Sequence, residues 1–208
     1  MTNVASGILA QIIKGATSKQ KKDLLSSLID LPPLENAMRT QIPNTLPTYL
    51  KARPFLEDGK SGIDFGAGLG LGAKRLGFQS YEPLPQKSFK PDFTDARDIP
   101  SNAYDMLTNL NVLNVVPRPI RDDIVENIGR VMSSGGRGVI TTRGKDVMDV
   151  KNPRMGPEPM SVITGRDTYQ KGFTQQELRD YLKFILGDKF DIESINLGPA
   201  GARIRKKR

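Results

Sequence analysis

The sequence of 208 residues contains neither cysteine nor histidine. Without cysteine there is no disulfide framework and no thiol nucleophile, and without either residue there is no zinc site of the usual kind. The Ser–His–Asp and Cys–His arrangements of hydrolases are excluded for the same reason. Any enzymatic chemistry must therefore come from other side chains, from the backbone or from a bound cofactor.

Long apolar runs and a leader pattern are also missing. No segment approaches the roughly 20 apolar residues that span a bilayer, and residues 1–20 have no basic region ahead of their apolar residues. With 37% hydrophobic and 26% charged residues, the composition is ordinary for a globular protein. We therefore expect a soluble, cytoplasmic protein with no membrane partner.

Acidic residues are fewer than basic ones. Asp and Glu number 23 against 31 Lys and Arg, so the formal net charge is +8. A basic surface attracts nucleic acid or another polyanion, but a soluble protein without such a partner can carry the same charge. The most concentrated basic run is ARIRKKR, residues 202–208. Both interpretations of the charge stay open at this point.

From residue 61 onward, short apolar runs alternate with helical patterns. Strands are predicted at SGIDF, FQSYE, YDMLTNL and RGVITTR, with a brief extended piece at PDF. Helices are predicted at LGAKRL, at IRDDIVENIGRVM, which the turn SSGG ends, and at FTQQELRDYLKFILG. The final runs, FDIESINL and ARIRKK, predict a β-hairpin. This alternation favours an α/β fold with a mostly parallel sheet covered on both faces.

Two local patterns refine this interpretation. For the last helix, Thr174 and Glu177 predict a capping box, and Phe173 and Leu178 predict a hydrophobic staple. Gly187 is predicted to end the helix. Before the sheet, residues 1–56 predict an N-terminal helical extension, and residues 57–208 the main domain. An apolar stripe at helical spacing in the extension predicts packing on the rest of the fold: Leu24, Leu25, Leu28 and Ile29.

In the segment SGIDFGAGLGLGA, residues 61–73, Asp64 is followed by four glycines. Glycine is costly in ordered structure unless a turn or a close approach needs it, so the segment predicts a strand, a turn and a helix start around a ligand. From Gly68 the letters fit the dinucleotide fingerprint G-x-G-x-x-A. However, Glu82 comes sooner than the expected ribose-binding acid, and the chain has little room for the catalytic domain of a dehydrogenase.

Starting from Asp64, D-F-G-A-G-L-G resembles motif I of class I S-adenosylmethionine-dependent methyltransferases. Four further segments resemble later motifs of that family, in the same order: SYEP, FTDARDIP, YDMLTNLNVLNVVP and IGRVMSSGGRGVITT. The resemblance covers roughly residues 60–142. It implies a single seven-stranded, mostly parallel Rossmann-like sheet that ends in the C-terminal β-hairpin.

The same resemblance implies S-adenosylmethionine as a small-molecule cofactor, and no metal. The glycine turn would admit the methionine portion, Glu82 would bond the ribose hydroxyls, and Asp95 with Ala96 would contact the adenine. The implied cofactor-binding set is Asp64, Gly66, Ala67, Gly68, Gly70, Glu82, Asp95, Ala96, Asn109 and Asn111. The sequence departs from the family pattern in PLPQKSFKPDFT, where three prolines predict a loop in place of the usual helix.

The methyl acceptor is constrained by what the fourth-strand motif lacks. It has no D/N/S-P-P-Y/F motif, and the chain has no cysteine for cytosine C5 chemistry, so DNA-base methylation of those kinds is disfavoured. Segment 143–172 commonly contributes to the substrate pocket in this family. Its polar residues, which include Arg154 and Glu158, fit a polar or anionic acceptor. The candidate catalytic residues are Asn111, Arg143, Tyr169 and Lys171.

GPEPMSVITG and TYQKGFT also resemble uncharacterised methylase-like domains of bacteriophages, some of them within large viral proteins. That resemblance implies the host cytoplasm or a virion as the location, and a viral protein as a possible partner. Two classes of function stay open. One is methyl transfer, and the other is a catalytically silent protein that keeps the cofactor fold as a binding or structural component.

Overall fold

The computed structural model describes residues 31–32, 46–56 and 59–208. In these residues the α-helices are α1 (Leu46–Ala52), α2 (Leu71–Leu76), α3 (Arg118–Val131) and α4 (Gln175–Leu186). The strands are β1 (Gly62–Phe65), β2 (Gln79–Tyr81), β3 (Tyr104–Leu110), β4 (Met132–Thr142), β5 (Arg154–Met155), β6 (Ser161–Ile163), β7 (Tyr169–Lys171), β8 (Phe190–Ser194) and β9 (Ala200–Lys206). Short 3₁₀ helices span Arg53–Phe55, Ala96–Asp98, Lys145–Asp149 and Gly187–Lys189.

The main sheet has the strand order β2-β1-β3-β4-β9-β8. Strands β1 to β4 are parallel, and β9 runs antiparallel to both β4 and β8, which confirms the predicted C-terminal hairpin. After β2 the chain returns to β3 on the other side of β1. The crevice beyond the carboxyl ends of β1 and β3 is therefore a topological switch point, where open α/β sheets bind their ligands.

The prediction of seven strands is wrong, because six are present in the described part of the main sheet. The expected seventh strand, PDF, forms only an isolated parallel bridge between Tyr81 and Phe93. Residues 82–92 connect to it without a helix, as the sequence predicts. Pro91 has no amide hydrogen to add to the ladder, which limits pairing on the N-terminal side of this bridge.

The prediction of a single sheet also needs correction. Residues 154–171 form a second, antiparallel sheet in the order β5-β6-β7. Its strands are only two or three residues long. Alternation cannot be recognised over so few residues, so the sequence pattern alone identifies the segment only as irregular.

The SSGG segment does not act as a simple turn after α3. Strand β4 begins at Met132, directly after the helix, and its register with β3 shifts between the pairs Tyr104–Met132 and Met106–Arg137. Residues 133–136 therefore form a bulge inside the strand, with Gly135 at a φ of 81°. A bulge accommodates the extra residues while both flanking pairs stay hydrogen-bonded.

Both faces of the main sheet are covered. Helices α3 and α4 pack on one face, where the buried cluster includes Ile63, Leu107, Val125, Ile128, Ile140, Leu178, Leu182 and Ile204. On the other face, α1 and the turn after it contribute Tyr49, Ala52 and Leu56, which pack with Leu110, Val139, Ile195 and Leu197. The apolar stripe predicted at Leu24–Ile29 lies outside the described residues, so the division at residue 56 stays a prediction.

The predicted end signals of α4 are confirmed. The Thr174 hydroxyl oxygen accepts a hydrogen bond from the Glu177 amide at 3.1 Å, the Glu177 carboxylate accepts one from the Thr174 amide, and Gly187 ends the helix. Phe173 and Leu178 are buried in the same cluster, as the staple predicts. Nowhere in the described ranges does a helix combine the length and apolarity needed to cross a bilayer.

Candidate cofactor and acceptor site

The glycine loop, residues 66–70, follows β1 at the switch point. Gly66, Gly68 and Gly70 have φ values of 93°, 58° and 74°, a region that side chains with a Cβ rarely adopt. A Cβ on Gly66 would lie 2.5 Å from Val112, and one on Gly70 would lie 2.0 Å from the ring of Phe89. Beside Gly68, no atom of the described residues lies within 4 Å of such a Cβ, so the loop is open there.

The loop is fixed to the end of β2. The amides of Gly66 and Ala67 both donate to the carbonyl oxygen of Tyr81, at 2.8 and 2.9 Å. The Gly70 amide donates to the Ala67 carbonyl at 2.8 Å and closes the turn before α2. The predicted loop residues therefore form one rigid turn, and their contact with a cofactor stays a prediction.

Glu82, which directly follows β2, faces this turn. Its Oε2 accepts a hydrogen bond from the Gly68 amide at 2.8 Å, and its Oε1 accepts one from the Leu84 amide at 3.2 Å. The residue is only 8% exposed. The structure thus brings the predicted ribose-binding acid against the open side of the glycine loop.

Asp64 lies beneath the loop and is completely buried. Its Oδ2 accepts a hydrogen bond from the Tyr49 hydroxyl at 2.9 Å, and its Oδ1 accepts one from the Thr108 hydroxyl at 2.8 Å. Burial raises the pKa of Asp64 to about 7, although both hydrogen bonds act in the opposite direction. In this position Asp64 supports the loop through two protein hydroxyls.

Tyr49 belongs to this site, and sequence reasoning missed it. Besides its bond to Asp64, its ring packs so closely on α2 that a Cβ on Gly72 would lie 2.3 Å from it. This contact explains the fourth glycine of the segment. The sequence carries no signal for it, because Tyr49 and Gly72 are distant in the chain and only the fold brings them together.

Asn109 and Asn111 lie across the crevice from the loop, at the end of β3. The Asn109 Nδ2 donates to the Phe65 carbonyl at 2.6 Å and so joins the ends of β1 and β3. Asn111 has a φ of 58°, which asparagine tolerates better than most residues, and its amide donates to the Thr141 carbonyl at 2.9 Å. This turn carries Val112 onto Gly66, so the two sides of the crevice touch.

Asp95 and Ala96 lie on the side of β2. Asp95 caps the 3₁₀ helix at 96–98 and forms an ion pair with Arg97. The hydrogen bonds from Arg97 lower the pKa of Asp95 below its usual value. The carbonyl of Ala96 accepts a hydrogen bond from Arg130 at 2.6 Å. Asp95 therefore serves its own turn in this structure, and the adenine contact stays a prediction.

The three candidates in segment 143–172 are each engaged by an acidic side chain. Arg143 pairs with Asp146, Lys171 donates to Glu177 at 2.7 Å, and the Tyr169 hydroxyl donates to Glu158. Lys171 and Tyr169 are also only 2% and 4% exposed. In this geometry these side chains hold segment 143–172 in place, and their catalytic roles stay a prediction.

Arg121 on α3 anchors the same segment and was not predicted. Its guanidinium donates to the carbonyls of Leu113 and Val116, at 2.8 and 3.0 Å, and to both oxygens of Glu158, at 2.9 and 3.0 Å. Burial acts to raise the pKa of Glu158, but the hydrogen bonds and charge of Arg121, together with the Tyr169 hydroxyl and the charge of Lys171, outweigh it and the pKa is lowered. In the sequence, Arg121 stands beside two aspartates and looks like an exposed residue.

Most of the basic run at 202–208 is ordered, because strand β9 includes its residues up to Lys206. Arg203 pairs with Glu193, and Lys207 lies 3.5 Å from Asp191. The Lys206 ammonium donates to the carbonyls of Gly129 and Met132, at 2.9 and 2.8 Å, at the end of α3. Several of these charges thus have structural partners, and a nucleic-acid partner stays a prediction.

Comparison with known proteins gives a result at the level of structure. No protein-family model matches the sequence, and no curated protein matches it either. Solved structures do match. One is a Thermotoga maritima protein described as an S-adenosylmethionine-dependent methyltransferase and possible histamine N-methyltransferase. It is 14% identical, with a TM-score of 0.53, over 78% of this chain and 89% of that chain.

Two further matches agree with it. The Burkholderia thailandensis 1,6-didemethyltoxoflavin-N1-methyltransferase, solved with 1,6-didemethyltoxoflavin and S-adenosylhomocysteine, is 13% identical with a TM-score of 0.57, over 99% of this chain and 88% of that one. An S-adenosylmethionine-dependent methyltransferase from Mesorhizobium loti is 14% identical with a TM-score of 0.54, over 76% and 96%. These comparisons do not show the resemblance to bacteriophage domains. The chain has the α/β Rossmann-like fold of class I S-adenosylmethionine-dependent methyltransferases.

Proposed function

We propose that the protein binds S-adenosylmethionine and transfers its methyl group to a polar acceptor. The observation that carries this proposal is the contact between Glu82 and the Gly68 amide at the switch point of the sheet. It places a carboxylate beside a glycine loop whose surface is open at Gly68. A ligand with vicinal hydroxyls and a charged amino-acid portion fits an acid next to exposed backbone.

The residues of the crevice fit such a cofactor. A carboxylate accepts hydrogen bonds at both of its oxygens, which fits Glu82 to ribose hydroxyls beside the loop. The turn at 66–70 would admit the methionine portion, and Asp95 with Ala96 would border the adenine. When bound, the cofactor supplies a methyl group that is already activated by its positive sulfur.

The protein's own contribution is positioning. Rate enhancement in such a site comes from holding the acceptor atom in line with the methyl group. Asn109 ties β3 to β1 through the Phe65 carbonyl, and Asn111 turns the chain at the mouth of the crevice. Both residues thereby fix the edge of the crevice that lies opposite Glu82.

The direct test is calorimetric titration of S-adenosylhomocysteine into the wild type and Glu82→Gln. Loss of a charge-assisted hydrogen bond costs about 1.5–3 kcal/mol, so we expect affinity to fall by roughly 10-fold or more. Glu193→Gln is the matched control, because Glu193 is an acid on the distant strand β8. Equal affinity of wild type and Glu82→Gln would contradict the proposed site.

A specific observation also favours the second class of function. The candidates Arg143, Tyr169 and Lys171 are all engaged by acids. A catalytically silent protein with a cofactor fold, for example a component of a viral particle, would keep such pairs for structure alone. Binding of S-adenosylhomocysteine without methyl transfer to any fraction of a cell extract would favour this alternative. Location of the protein in a virion rather than in the host cytoplasm would favour it as well.

A further inference from the structure

Four buried polar atoms without a partner among the described residues lie near the carboxyl ends of β3 and β4. They are Asn109 Oδ1, Asn114 Oδ1, Thr141 Oγ1 and Thr142 Oγ1. The four residues are at most 1% exposed. Such groups are few in native proteins, and each costs about 1–3 kcal/mol when left unpaired. Their concentration at the candidate site therefore indicates that something binds there.

The pairing of β3 with β4 shows which of these atoms share a face of the sheet. Asn109 is level with Ile140, so Thr142, two residues further along β4, lies on the same face. Thr141 is level with Leu110 and lies on the opposite face. Asn109 and Thr142 thus belong together, and Thr141 does not.

Asn114 reaches the same region through the segment after β7. The Lys171 amide donates to the Asn114 carbonyl at 2.7 Å, and the Phe173 amide donates to the Arg143 carbonyl at 2.9 Å. Two residues of extended chain span about 7 Å. The segment at 171–173 thus connects Asn114 to Arg143, the residue directly after β4, and we call Asn109, Asn114 and Thr142 the acceptor cluster.

The chemistry of the acceptor cluster favours a ligand that donates hydrogen bonds. The Asn109 amide is oriented by its bond to the Phe65 carbonyl, so its free atom is the oxygen, which only accepts. The threonine hydroxyl can accept as well. Nearby cations are compensated, because Arg121 pairs with Glu158, and Lys171 with Glu177. An anionic ligand would find two carbonyl oxygens and no uncompensated charge in this cluster.

We propose, resting on the proposed function, that the methyl acceptor is an uncharged nitrogen that carries at least one hydrogen and an available lone pair, such as the nitrogen of a primary or secondary amine. This hydrogen is donated to the acceptor cluster while the nitrogen lone pair points at the methyl group. The lone pair forms the N–C bond as the C–S bond breaks, sulfur keeps the electron pair of that bond, and the nitrogen then loses a proton to water.

A hydroxyl acceptor would need a base that removes its proton during transfer. The chain has no histidine. In the described part of the crevice, each carboxylate oxygen of Asp64 accepts from a protein hydroxyl. The carboxylate oxygens of Glu82 accept from the Gly68 and Leu84 amides, on the side proposed for the cofactor ribose. A nitrogen nucleophile needs no such base, since its lone pair is available before the proton leaves.

The experiment compares three probes that share a phenyl ring and differ in the acceptor group, which is an amine, a hydroxyl or a carboxylate. Aniline, phenol and benzoate are each incubated with the full chain and methyl-labelled S-adenosylmethionine. We expect labelled product from aniline alone. Faster transfer to phenol or benzoate overturns the proposal, and so does no transfer to any probe by protein that methylates a fraction of a cell extract. If S-adenosylhomocysteine itself does not bind, the proposed function fails instead.

Two variants test the acceptor cluster itself. Thr142→Val removes the unpaired hydroxyl and keeps the shape of the side chain, so we expect unchanged or higher stability and unchanged affinity for S-adenosylhomocysteine. The KM for aniline should rise roughly 3- to 10-fold, because one hydrogen bond to the acceptor is lost. Thr141→Val, on the other face, is the matched control and should keep the wild-type KM. Equal KM values in the two variants overturn the assignment. Asn114→Leu removes the unpaired amide oxygen of a second member of the acceptor cluster, and it should raise the KM for aniline in the same way.

Discussion

The buried carboxyl group of Asp64 makes stability depend on pH, and Asp64→Asn removes this dependence. The pKa of Asp64 is about 7 in the folded protein because of burial, against the ordinary value of 3.8 for an aspartate. An asparagine keeps the shape of the protonated acid. Its oxygen can accept from one of the two hydroxyls, of Tyr49 or Thr108, and its nitrogen can donate to the other.

The direction in which stability changes with pH follows from the pKa of Asp64 in the folded state and its ordinary value in the unfolded state. Below about pH 4 the group is protonated in both states, and above about pH 7 it is ionised in both. Between these limits the folded state binds more protons than the unfolded state, so stability falls as the pH rises. The shift is about three pKa units, and at about 1.4 kcal/mol for each unit the total is on the order of 4 kcal/mol.

The assay is urea denaturation of the wild type and Asp64→Asn between pH 4 and pH 8. The free energy of unfolding of the variant, relative to the wild type, should grow by about 4 kcal/mol from pH 4 to pH 7 and then level off. Other titrating groups contribute to both proteins and cancel in the difference. A difference that stays constant over this range would refute the reasoning.

The matched control is Asp105→Asn. The pKa of Asp105 is lowered by its hydrogen bond from Ser133 and by backbone amides. Because Asp105 is then ionised in both the folded and the unfolded state above about pH 5, its variant should differ from the wild type by a constant amount from pH 5 to pH 8. Only a group whose pKa is raised can produce a slope in that window.

Three further substitutions test the structure in and next to segment 143–172. Glu158→Ala leaves the buried guanidinium of Arg121 without its carboxylate and should lower the free energy of unfolding by about 3–5 kcal/mol. Arg154→Ala breaks an exposed pair with Asp167 and should lower it by less than about 1 kcal/mol. Urea denaturation of both variants distinguishes these outcomes, and similar losses would contradict the assignment. Thr174→Ala removes the cap of α4 and should cost about 1 kcal/mol in the same assay, while no loss would mean that the cap does not stabilise the helix.

The features that the sequence predicts well are local in the chain. The glycine loop, the acid at the end of β2 and the capping box of α4 each depend on residues a few positions apart. Their geometry follows from glycine conformation and helix-end hydrogen bonds, which neighbouring letters determine. The closing hairpin is of the same kind, since β8 and β9 are joined by a short loop.

The features that the sequence does not predict depend on distant residues. Tyr49 and Arg121 carry no pattern that distinguishes them from surface residues, yet the fold buries each against partners far along the chain. The small sheet at 154–171 has strands too short for periodicity to appear. The loss of the seventh strand depends on how far pairing continues beyond Tyr81 and Phe93, which is decided by tertiary structure.

The position of β9 between β4 and β8 has a consequence for folding. Strand β4 has β3 on one side, and its other side is covered only when β9 pairs with it. Until then β4 presents an open edge that carries the apolar residues Val139 and Ile140, and such edges promote association between chains. Pairing of β4 with β9 closes a long loop, which makes it a slow event. The stage before this closure is therefore when the chain is most prone to aggregate, and a fragment that ends before Ala200 would remain at that stage.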